Sequence, residues 1–207
     1  MSGEEFEDVL GFWFPQELSP DHARMVRQFE WCFRGGADAA VVERFAGLLE
    51  RAARGELDQW SLQPRSRLAL IIVLDQFSRS VHRGTARAFA QDGKALALAL
   101  EGLEVGHYAV LETPWEKTFF FLPLGHSEEL AHQETAVKLA EELLQRAPAE
   151  LRRILEHSAA QARGHRDVIA RFGRHPHRNA VVGRHSTPEE LDYLARGQFV
   201  HTRPLPG

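Results

Sequence analysis

From Gly3 to Gly197 helix starts and stops follow one another, and the apolar–polar alternation of strands is nearly absent. That pattern confines the chain to an all-α fold. Residues 3–13 read as a first helix closed off by Pro15, and Ser19-Pro20-Asp21 opens a second that reaches Arg34. Asp38 is placed to cap a helix over 39–54, with Val42, Phe45, Leu48 and Leu49 on its inner face and Gly55 as its stop. Pro64 opens the most apolar helix, 64–80. Thr85 is expected to cap the next, 86–104, with Phe89, Leu96, Leu100 and Leu103 as its buried stripe.

Thr113-Pro-Trp-Glu116 is a capping box that starts a short aromatic helix ending at Leu122. Ser127 is expected to cap a helix to Arg146, and Pro148 to start a long one that stops at Gly173. Thr187-Pro-Glu-Glu190 is a second capping box, Gly197 ends that last helix, and the tail 200–207 is expected to fray. About eight helices on short connections predict antiparallel helical hairpins stacked in a single domain, 1–207. No fixed-period repeat is visible.

With 207 residues, 43% of them hydrophobic, the chain can bury a substantial core. A net charge of −4 gives no electrostatic case for nucleic acid or a membrane surface. The lone Cys32 allows no internal disulfide and suits a reducing compartment. The acidic, amphipathic start Gly3–Leu10 is unlike a signal peptide, and the longest clean apolar run, Leu68–Leu74, is too short to span a bilayer. These features together predict a soluble, cytoplasmic protein.

The chemistry concentrates in Phe172-Gly-Arg-His-Pro-His-Arg-Asn179 and Gly183-Arg-His-Ser-Thr-Pro-Glu-Glu190. Glycine and proline fix the path of such a segment, while arginine and histidine give it anion-facing, proton-trading side chains. Arg174, Arg178, Asn179 and Arg184 are therefore candidate ligand-binding residues. Asp75 and Arg79 lie on one stripe of the helix 64–80 with Leu68 and Ile72, and Arg83 continues the line. A carboxylate on a core face must be paired or lie at a wet cavity. Asp75 and Arg79 thus read either as an internal pair or as an acid/base group beside an anion contact.

His126 stands next to a helix start beside Pro123 and Gly125, with Glu128 two residues on. His157, Gln161 and His165 follow at four-residue steps on the long helix, where a hydrogen-bonded core histidine is the commoner outcome. Asp75, His126, Glu128 and His165 form the candidate acid–base set, and Arg79, Arg83, Arg174, Arg178, Asn179 and Arg184 the candidate ligand-binding set. Glu129 and His132 have the Glu-x-x-His spacing of di-iron bundles but no second such motif, and His175-Pro-His177 is not a zinc motif. No metal and no cofactor is expected. Phosphate-loop, dinucleotide and nucleophile-elbow motifs are absent, and the basic segment lacks the aromatics that stack single-stranded nucleic acid.

Several pieces together resemble a bacterial family known as domain of unknown function 924. They are Leu74-Asp-Gln-Phe-Ser-Arg79 with Arg83-Gly-Thr85, Phe121-Leu-Pro-Leu-Gly-His-Ser-Glu128 with Gln133, and Phe172–Asn179 with Gly183-Arg184. Phe12-Trp-Phe14 is similar to the family's opening. The resemblance implies a tetratricopeptide-like helical fold and brings no activity, substrate or cofactor. Where the family usually carries a bulky apolar or aromatic residue between Arg174 and Pro176, this chain has His175.

Two function classes stay open. One is a small-molecule site for an anionic metabolite, a carboxylate or phosphate, with acid–base chemistry; whether it catalyses a reaction is undecided. The other is a helical-hairpin module that binds a peptide or protein without catalysis, an idea the fold resemblance supplies by analogy. Candidate residues converging on an open cavity favour the first, and candidate residues closed in salt bridges favour the second.

Overall fold

The computed structural model describes residues 2–15 and 22–197. The expected helix start at Ser19–Asp21 and the expected fraying of 200–207 lie outside them. Among the described residues the chain is all-helical: α1 Ser2–Trp13, α2 His22–Phe33, α3 Asp38–Ala53, α4 Pro64–Ile72, α5 Ser78–Val81, α6 Asp92–Glu104, α7 Pro114–His126, α8 Leu130–Gln145, α9 Arg152–Phe172 and α10 Pro188–Ala195. A π-turn, Val73–Phe77, joins α4 to α5, so the two form one continuous helix. Backbone proximity divides the chain into two compact units: Met1–Arg83 with Arg87–Pro123, and Gly84–Ala86 with Leu124–Gly207.

In the first unit the core is the helix α4–π–α5. Every residue from Leu68 to Leu74 is fully buried, as is Phe77. The most apolar stretch of the sequence thus becomes the central element, packed by α1, α3 and α6. Phe77 is met by Phe45 at 4.8 Å and Trp13 at 5.5 Å between ring centroids, and Trp13 meets Phe119 at 5.6 Å. Such offset and edge-on aromatic pairs add to the area they bury. Trp13, Trp60 and Trp115 are buried core residues.

Several local expectations are corrected. Helix α3 buries Phe45, Leu48 and Leu49 as expected, but Val41 in place of Val42, which is 46% exposed. Asp38 does not cap this helix; its carboxylate turns to the Arg83 guanidinium, and Ala37 occupies the capping position. After Thr85 comes a 3-10 turn, Ala86–Phe89, and α6 begins only at Asp92. Its buried face is Ala95, Leu98, Ala99 and Gly102, with Leu96, Leu100 and Leu103 only half-buried. The reason is close approach: a Cβ on Gly102 would lie 2.4 Å from Phe120 Cζ and 2.8 Å from Arg67 Cδ. Small residues let these side chains in where a leucine stripe would hold them off.

Helix α7 starts at the expected capping box, with Thr113 Oγ1 accepting from Glu116 N–H and Glu116 accepting from Thr113 N–H. It runs through Pro123 to His126 instead of stopping at Leu122. An internal proline costs a helix roughly 3 kcal/mol. Burial of Phe119, Phe120, Phe121 and Leu124 offsets that cost.

In the second unit α8 and α9 pack side by side, and α9 ends where Gly173 takes a left-handed φ of +67°. That conformation is cheap only for glycine. Helix α8 begins at Leu130, not near Ser127. Helix α10 carries the predicted capping box, Thr187 accepting from Glu190 N–H and Glu190 from Thr187 N–H. No described helix is long and apolar enough to cross a membrane.

Candidate functional site

The candidate residues fall into two groups. Asp75, Arg79 and Arg83 belong to the first unit; His126, Glu128, His165, Arg174, Arg178, Asn179 and Arg184 belong to the second.

In the first group Asp75 lies on the π-turn, all of whose residues are buried, and is 1% exposed, as its place on the core stripe predicts. Its carboxylate accepts from Gln76 Nε2 at 2.5 Å and lies 3.2 Å from Arg79 Nη1. Arg79 also reaches Asp92 at 3.0 Å and the Asp75 carbonyl, and its guanidinium stands 5.6 Å over the Phe89 ring. Asp75 and Arg79 thus form the internal pair that the sequence left as one alternative. Arg83 points elsewhere, onto Asp38. The partners Asp38 and Asp92 carry no sequence signal, because nothing in the spacing says which carboxylate an arginine 13 or 45 positions away will meet.

In the second group two clasps hold the segment between α9 and α10. Arg174 makes a fork to Glu190, 2.6 and 2.8 Å, and donates to the His185 carbonyl at 2.9 Å. Asn179, fully buried, donates to Ser186 Oγ and to Glu190. The Arg174 fork is the main reason that Glu190 is held down to about 2, with Thr187 N–H and Asn179 helping against burial. Glu190 therefore caps α10 and anchors the loop with one carboxylate.

The second clasp is Glu128. It accepts a fork from Arg184, 2.6 and 2.9 Å, and the backbone N–H of His175 at 2.8 Å. Burial pushes the Glu128 carboxyl up, but Arg184 and the His175 N–H outweigh it and hold it below the usual range. Glu128 is thus kept ionised and committed.

Between the clasps lies a cluster of imidazoles. His175 is 1% exposed, its ring centroid 5.6 Å from that of His165 and 5.4 Å from that of His177. Among the described residues neither of its ring nitrogens has a hydrogen-bond partner. Burial first, then the nearby Arg178, His165, His177 and His126, hold its pKa well below the ordinary imidazole range. His175 is therefore a neutral ring in a slot ringed by groups that carry or can take positive charge. Arg178, on the 3-10 turn Pro176–Arg178, is itself buried at 8% exposure.

Sequence reasoning left His175 out of the candidate set, although the His-Pro-His run was its signal. It also missed the contact of Ser127 Oγ with His132 Nδ1 at 2.9 Å, beside Glu129 N–H donating to the same oxygen at 3.1 Å. Among the described residues no three His, Cys, Asp or Glu side chains are grouped to share a metal ion. An open groove of about 430 Å³ along α8, lined by Glu134, Lys138, Glu141 and Arg166 among others, contains none of the candidate residues. Burial pushes the Cys32 thiol up to about 12, which leaves it inert at neutral pH.

A family model described as a bacterial protein of unknown function (DUF924) matches residues 9–198. A solved structure of a protein of unknown function from Agrobacterium tumefaciens is 33% identical. It covers 95% of this chain and 100% of its own, with a TM-score of 0.69. Among curated proteins nothing matches.

Proposed function

The chain belongs to the bacterial DUF924 family of unknown function, and from that premise we propose that its second unit binds a small anionic metabolite, a carboxylate or phosphate. The observation that carries this reading is the gathering of a buried guanidinium, Arg178, with His165, His177 and His126 about the His175 ring. A low-dielectric site in which positive groups outnumber the one ionised carboxylate, Glu128, favours a ligand of negative charge. Arg178 is the anion contact in this proposal, and His126 and His165 are the groups able to move a proton. Glu128, Arg174 and Arg184 serve as struts that position them. Asp75, Arg79 and Arg83 keep the first unit's central helix in place.

A second reading is a peptide- or protein-binding module. A specific observation favours it: Arg79, Arg83, Arg174 and Arg184 each close on a carboxylate within their own unit. On that reading the polar clusters are struts throughout.

Native mass spectrometry with added inorganic phosphate or citrate separates the two. The anion reading expects a one-to-one adduct on the wild-type chain that is absent from Arg178→Ala, with the variant retaining its helical circular dichroism. No adduct on the wild type, or an adduct that survives Arg178→Ala, overturns it and leaves the module reading.

A further inference from the structure

We propose that the segment 173–187 is an acid-sensitive latch, in which protonation of His175 expels its ring from the second unit and releases the Glu128 clasp. The geometry sets up such a response. The His175 ring is 1% exposed and neither nitrogen is hydrogen-bonded among the described residues, so no hydrogen bond in the slot stabilises an imidazolium. The charged and titratable groups facing it are Arg178 and His177 from its own turn, His165 from α9 and His126 from α7. Each opposes a positive charge on the ring, and no carboxylate is among them. The carboxylate of Glu128 is engaged by the His175 backbone N–H and by Arg184.

The same residue that would titrate is thus part of the closure. Its N–H holds Glu128, and its carbonyl accepts from Arg178 N–H at 3.1 Å and Arg184 Nη2 at 3.3 Å. Moving the ring out moves this backbone and loosens all three contacts.

The sign follows from linkage. The closed segment holds His175 neutral, whereas the open segment lets it protonate near the ordinary value of 6.5. Below that pH the open form binds one more proton, so closure weakens about tenfold per pH unit. Above it the latch is shut and pH-independent.

Amide hydrogen exchange tests this between pH 7 and 5, corrected for the intrinsic pH dependence of exchange. Protection of the His175, Asn179 and Arg184 amides is expected to be flat above about pH 6.5 and to fall about tenfold per unit below it. In His175→Phe, which fills the slot with an uncharged ring, that slope is expected to vanish. An equal slope in His175→Phe overturns the proposal. Should that variant not fold, a nuclear magnetic resonance titration of the wild-type His175 ring decides alone. A ring that stays neutral to pH 5 while the segment is closed supports the latch; one that titrates near 6.5 without any opening refutes it.

Discussion

Glu190 shows how much one side chain can hold. Its carboxylate receives the Arg174 fork, the Asn179 amide and Thr187 N–H, and is 2% exposed. Replacing it by glutamine keeps the volume but removes the charge opposite Arg174. Breaking a fully buried pair costs about 3–5 kcal/mol, and because Arg174 is itself 28% exposed we expect about 2–3 kcal/mol for Glu190→Gln in urea unfolding. The pH dependence has a definite sign. With its folded pKa held down to about 2 against an ordinary 4.5, Glu190 gives stability that is complete above pH 4.5. That stability is lost as the pH falls from 4.5 towards 2, and Glu190→Gln should lack this part of the acid transition. The pairing was beyond reach of the sequence, which shows Glu190 as the last residue of a capping box and says nothing of Arg174. The capping box itself was legible because its two partners are three residues apart and interact locally.

Among the elements, the legible ones are those whose ends carry a local signal of their own. Gly173 ends α9 and the Thr113 and Thr187 boxes start α7 and α10, each at the expected place. Where tertiary packing decides, the sequence misleads. Helix α7 passes through Pro123 because its phenylalanines are buried, and α6 turns its small residues inward because Phe120 and Arg67 press against it. The π-turn at Val73–Phe77 is a further case, since its periodicity reads as ordinary α-helix, although Asp75 lies on the core face as expected. Gly102 tests this packing. Gly102→Ala would raise helix propensity by about 1 kcal/mol on an exposed face. Here the new methyl collides with Phe120, so a net loss of about 1–3 kcal/mol and a lower Tm are expected instead. An unchanged or raised Tm would show that Phe120 and Arg67 yield easily.

For the molecule as a whole, the all-helical class and the family were readable because helix signals and motif order extend over most of the chain. The candidate site was readable only in part. The loop 172–187 was singled out from its own glycines, prolines and basic residues, and it does contain His175, His177 and the buried Arg178. The roles within it were not readable, since each depends on which distant carboxylate an arginine meets. Arg174 and Arg184 look like ligand contacts in the sequence and are closed on Glu190 and Glu128 in the fold. The anion reading rests on the buried Arg178 and the histidines gathered with it about His175. Its most direct test is a titration of the labelled protein with inorganic phosphate, and separately with citrate, followed by amide chemical shifts at pH 7. The account predicts saturable shifts concentrated in residues 173–187, lost in Arg178→Ala. Shifts that spare this segment, or that persist unchanged in Arg178→Ala, would contradict it.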